Sequence, residues 1–207
     1  MSSPNRPSRA GFSLIEMLVA LTISATLLTA ALSALDTSFK SYKHTTDGAS
    51  TQIVSRISMH RIMAMIRTGT EFAPYPVDVL DNAQNPLVSN FIEFKLPVAG
   101  STTATRLVRI ERRANGVIHD GQTLFDLYYI QSDYDGDNLS SQEERPLLTN
   151  LLDLTFTLEF DVGPRLRRAT VDMTIRPNEG DDAAVYTTLA SPTVRFVSSV
   201  APRRLDE

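Results

Sequence analysis

The sequence predicts an α+β protein in which one long N-terminal helix, transmembrane in its first half and amphipathic in its second, packs on an antiparallel β-sheet head. Three observations carry this. Residues 12–35 are apolar and almost free of charge, residues 39–63 keep apolar side chains at three- and four-residue steps, and beyond Gly69 the apolar period drops to two.

The first element is a short polar leader, residues 1–11, with Arg6 and Arg9 and no acid. The run that follows, residues 12–35, carries no charge from Met17 to Leu35. At about 1.5 Å per residue this stretch nearly matches a hydrocarbon core of about 30 Å. The basic leader stays on the cytoplasmic side by the positive-inside tendency, which sends the rest of the chain outward. A secretory signal carries its small-residue cleavage site after the apolar run. Here the small residue, Gly11, stands before it, so the helix is expected to be kept. Glu16 is the exception within the run. A carboxylate at mid-bilayer costs on the order of 2.5–3.5 kcal/mol, less at the interface. Two readings stand side by side: an acid at the helix N-terminus that reaches the interface, favoured by the macrodipole, or a charge awaiting a partner.

The string GFSLIEMLVAL closely resembles the class III signal of prepilins and pseudopilins, in which a basic leader ends in glycine and is followed by phenylalanine and, four residues on, glutamate. The resemblance covers about 25 residues. It implies cleavage between Gly11 and Phe12 by a prepilin peptidase, N-methylation of Phe12, and pairing of Glu16 with the terminal ammonium of a neighbouring subunit. An acid in a dry helix bundle needs such a partner. The pilin-like fold, the other pilin-like subunits as partners through the N-terminal helix, and residence in the inner membrane with the head outside the cytoplasm follow as further expectations of the resemblance.

Residues 36–68 continue the helix. Phe39, Tyr42, Thr46, Ala49, Ile53, Ile57, His60 and Met63 form one stripe, expected to face the head, while Arg56, Arg61 and Arg67 fall off it. Met59, Met63, Met65 and His60 read as core filler. Gly69 is the stop signal, and Pro74 and Pro76 prevent resumption. Residues 69–200 are the β-rich head. Leu152, Leu154, Phe156, Leu158 and Phe160 alternate with polar residues, as do Ala169, Val171, Met173 and Ile175, with Gly163-Pro164 between them, so strands 152–162 and 168–176 form a hairpin. Further strands are expected at 90–98, 105–112, 124–130, 183–189 and 193–198. Residues 100–105 and 178–182 read as loops and 201–207 as a flexible tail.

With 42% apolar and 21% charged residues, a head of this length can bury one ordinary core. A formal charge of −4 argues against nucleic acid. There is no cysteine, hence no disulfide and no thiolate chemistry, and the three histidines, His44, His60 and His119, are scattered. No motif places a nucleophile, a phosphate loop or a His/Glu metal signature, so no enzyme is expected.

One acidic run stands out. Asp133, Asp135 and Asp137, the Leu139 carbonyl, Ser141 and Glu144 fall at positions 1, 3, 5, 7, 9 and 12 of a calcium loop. Asn138 replaces the usual glycine and Pro146 breaks any exit helix, so this is not a helix-loop-helix hand. The alternatives are a structural Ca2+ site and a solvated acidic turn.

The missing cysteine pair and the large head resemble minor subunits, most closely the J-type pseudopilin of type II secretion or the W-type minor pilin. The segment LLTNLLDLTFTLEF adds to this likeness. Glu16 departs from the K-type tip subunit, which typically lacks that acid. The implied function is structural, as part of a complex that primes a filament tip. A subunit of a pilus or DNA-uptake filament is the nearest alternative. An uncleaved, membrane-anchored module binding calcium or another ligand is an alternative of another class.

Overall fold

The computed structural model describes residues 11–98, 104–119, 121–163, 165–176 and 193–203. Expectations for the leader 1–10, the strand 183–189, the loop 178–182 and residues 204–207 lie outside these. The chain divides into two compact units, Met1–Thr46 and Asp47–Glu207. Helix α1, Leu14–Thr68, begins in the first and ends in the second.

In the first unit every described side chain is exposed. The helix there holds an 18-residue window of mean hydropathy 2.0, long and apolar enough to cross a membrane. Its threonines are compatible with lipid because their hydroxyls are satisfied internally. Thr22, Thr26 and Thr29 donate to the carbonyls of Val19, Ile23 and Ala25, each at 2.8 Å.

The second unit is an eight-stranded antiparallel sheet with residues 47–68 of the helix packed on it. The strands are β1 (Thr70–Ala73), β2 (Leu87–Ser89), β3 (Phe91–Pro97), β4 (Ala104–His119), β5 (Gln122–Asp135), β6 (Asn138–Asp161), β7 (Arg165–Ile175) and β8 (Val194–Val200). Their order is β1-β3-β4-β5-β6-β7-β8, with β2 pairing the far end of β6. The α+β class is therefore as the sequence predicts. Ile62, Ile66, Phe94, Leu127, Leu154, Phe156, Leu158 and Met173 are all fully buried between helix and sheet. Burying each such side chain contributes about 1.5–3 kcal/mol.

Four expectations need correction. The helical stripe mostly faces the wrong way: Ile53 and Ile57 are 61% and 62% exposed and His60 is exposed, whereas Ser55, Ser58, Met59, Ile62 and Ile66 are buried; of the stripe, Met63 packs against the core. Two serines on the inward face allow a close approach to the sheet, and Ser58 donates to the Leu147 carbonyl at 3.5 Å. The strand expected at 152–162 starts at Asn138, and its neighbour expected at 124–130 runs on to Asp135. Both continue through polar sequence because their outer ends form a hairpin that no core covers. The tail is held at its beginning, since the Arg203 amide donates to the Arg67 carbonyl at 2.8 Å, satisfying a terminal group of the helix. Finally, the loop expected at 100–105 is already strand from Ala104.

The 152–162/168–176 hairpin is present, with Asp161 opposite Arg165 and Gly163 at φ 87°. The helix stops where expected, at Thr68. Gly69 is required by space: a β-carbon there would lie 2.7 Å from Cδ2 of the fully buried Phe94.

Candidate functional site

Gly11, Phe12 and Ser13 lie outside the helix, which starts at Leu14. A β-carbon built on Gly11 meets nothing within 4 Å among the described residues, so packing against them does not demand glycine at that position. Phe12 is 85% exposed. Glu16 sits in the first turn, and its Oε2 accepts the Ser13 amide at 2.9 Å. Ser13 and Glu16 thus stand three apart as the N-cap and N3 residues of a capping box, in which the acid satisfies an orphan donor and complements the positive end of the macrodipole. The sequence carries this signal as Ser-x-x-Glu at residues 13–16. Gly11, Phe12 and Glu16 therefore fall together at one exposed helix start, with the Gly11–Phe12 bond in non-helical chain.

The acidic run is distributed differently. Gly136 takes φ 59°, which a primed hairpin turn accepts, so residues 136–137 form a two-residue turn with Asp135 opposite Asn138. Asp133 then pairs with Ser141 and Ile130 with Glu144. Glu144 is three rungs, about 10 Å, from Asp133 and on the other face of the sheet, against the 2.3–2.6 Å that calcium ligands need. Asp133 is already held by Arg106, whose Nε donates to Oδ1 at 2.7 Å, and by Gln131 at 3.0 Å. These hydrogen bonds, Arg106 first, keep the Asp133 carboxyl below its ordinary range. Glu144 pairs with Arg113. Among the described residues no group of three or more histidines, aspartates and glutamates is placed to hold a metal ion. The six expected ligands do not fit a calcium ion in this arrangement.

The sheet face that carries Glu144 holds an open groove of about 390 Å3, floored by Leu107 and Ile130. Its charges are mutually satisfied. Glu111 lies between Arg109 and Arg113 and accepts from both, while Arg109 also lies 3.9 Å over the Phe91 ring. Burial pushes the Glu111 carboxyl up, but the two guanidiniums outweigh it and hold it below its usual value. The groove lacks a nucleophile paired with a base.

Comparison with known proteins bears on the N-terminal segment. Residues 6–32 match the family described as the prokaryotic N-terminal methylation motif, a span that includes Gly11, Phe12 and Glu16. Together with the apolar helix, the match supports a type IV pilin-like protein with a single-pass membrane anchor. No curated protein and no solved structure matches the chain.

Proposed function

We propose that this chain is a minor pseudopilin, a non-enzymatic assembly subunit of a type II secretion pseudopilus that takes part in priming the filament tip. The observation that carries the reading is the order of parts at the N-terminus: an exposed Gly11–Phe12 bond outside the helix, a capping Glu16 in the first turn, and an uncharged span behind it. A prepilin peptidase removes residues 1–11 and methylates Phe12. The head rides outside the cytoplasm on an inner-membrane helix and meets other pilin-like subunits through that helix. A cysteine-free head of this length favours the minor-subunit assignment over a major one.

The test is the mass of the N-terminus of membrane-extracted protein from cells with and without prepilin peptidase. We expect N-methyl-Phe12 only in the peptidase-positive cells. An intact Met1 in both strains would leave an uncleaved anchored protein and end the pilin-like reading. Glu16→Ala is expected to insert and be cut normally yet assemble poorly, because the neighbour's ammonium loses its counter-charge. Wild-type filament formation by this variant would remove Glu16 from assembly and leave it the capping role alone.

A further inference from the structure

Helix α1 has two working faces, and the head uses one of them. Ser55, Ser58, Met59, Ile62 and Ile66 turn to the sheet. Ala49, Ile53, Ile57 and His60 lie on the opposite side of the helix and are exposed, Ile53 and Ile57 by more than half. They stand three and four residues apart. That is the spacing of a seam into which a second helix packs, not of a solvent face. Single exposed apolar residues are ordinary, but a row of them at seam spacing marks an interaction surface.

The residues flanking this seam say what kind of helix fits. Arg56 lies on one side and Arg61 on the other, at the flanking positions whose charges set partner choice. Among the described residues neither has a carboxylate partner. Arg61 rests over the ring of Tyr129 at 5.9 Å from its centroid, and Arg145, which pairs with Glu143 at 3.8 Å, lies over the same ring at 4.7 Å. Tyr129 itself is fixed by donating to Gln131 at 2.9 Å. The aromatic ring thus holds the Arg61 cation without neutralising it. A second copy in register would set arginine against arginine on both flanks, which is unfavourable.

We propose that the seam Ala49–Ile53–Ile57, flanked by Arg56 and Arg61, docks the helix of a different pilin-like subunit whose own apolar seam is flanked by acidic side chains. This rests on the filament-subunit reading and adds to it the partner's chemistry. Apolar contact supplies the adhesion and the arginines supply the choice of partner.

The test uses the full chain in lipid nanodiscs and two labelled synthetic helices with one shared Ile/Leu seam, flanked by Glu in one and Lys in the other. Anisotropy titrations are expected to show the Glu-flanked helix binding roughly tenfold tighter. Arg56→Glu with Arg61→Glu should reverse the preference, and Ile57→Asp should abolish binding of both. Equal affinities, or a preference unmoved by the double charge reversal, would overturn the proposal. As the chain has no cysteine, Ile57→Cys under mild oxidation reports on this seam alone. A monomer is expected, and a disulfide-linked pair of copies would make the occupant a second copy and refute the heterotypic assignment. The processing assay above is run on the same samples, so a failed seam with an N-methylated Phe12 leaves the filament reading intact, whereas an uncut N-terminus removes that reading first.

Discussion

The glycine at the end of the long helix offers a sharp test of packing, because the same substitution at a second glycine should act with the opposite sign. At Gly69 an added methyl group would stand 2.7 Å from Phe94 Cδ2, 3.0 Å from its Cγ and 3.2 Å from Phe72 Cζ. Phe94 is fully buried and cannot move away cheaply, and real β-carbons do not approach so closely. Overpacking of this kind costs about 1–3 kcal/mol. Loss of unfolded-state freedom returns about 0.4–1 kcal/mol, which leaves Gly69→Ala destabilised by about 1–2 kcal/mol. For a domain of this size that is a fall of about 2–8 °C in Tm. Gly48 lies within the helix with nothing within 4 Å of its added carbon, so Gly48→Ala should gain about 0.5–1 kcal/mol from helix propensity. Thermal unfolding of the full chain in detergent, followed by circular dichroism, reads both. If Gly69→Ala melts at or above the wild-type temperature, the close approach of helix end to Phe94 is not a feature of the folded protein.

Acid should unfold the head in a defined way. Glu111 is held below its usual value by Arg109 and Arg113 against the upward push of burial, Asp133 by Arg106, and Asp172 by Arg195. Carboxylates depressed in the folded state stabilise it above their unfolded values and lose that contribution as pH falls through the folded ones. Tm is therefore expected to be flat above about pH 5 and to fall below about pH 4, with a shallower fall in Glu111→Gln. Removing residues 201–207 takes away the amide that caps the Arg67 carbonyl and should lower stability by about 0.5–1.5 kcal/mol, read by denaturant midpoint. Millimolar calcium is expected to leave Tm unchanged, because Asp133 and Glu144 have arginine partners on opposite faces. A rise abolished by Asp135→Ala would restore the loop reading of the acidic run.

The parts of the fold that were legible in the sequence are those where one periodicity has one cause. Leu154, Phe156, Leu158 and Phe160 alternate because one face of β6 is buried, and their strand was readable to its end. The same strand was illegible before residue 150. There the hairpin arms are uncovered, so no apolar alternation is imposed, and Asp133 and Asp135, at the strand period of two, together with Asp137 in the turn imitate the spacing of a metal loop. The turn residue Gly136, at positive φ, was the available sign of a hairpin. The methylation-motif segment that holds Gly11, Phe12 and Glu16 was legible because such a motif is written in contiguous residues. The capping partner Ser13 was equally visible and went unread.

The helix stripe is the more instructive miss. Periodicity reports that a helix has an apolar face, and says nothing about what covers it. In α1 the face against the sheet includes Ser55 and Ser58, small polar residues whose burial reflects close approach, so it looks weak in sequence. The face with Ile53 and Ile57 looks stronger, yet the sheet leaves it bare. A helix that served only its own head would gain nothing from that second row and would risk aggregation through it. Among the described residues Arg56 and Arg61 beside it have no carboxylate partner, which is the arrangement that the proposed docking of a second, acid-flanked helix requires.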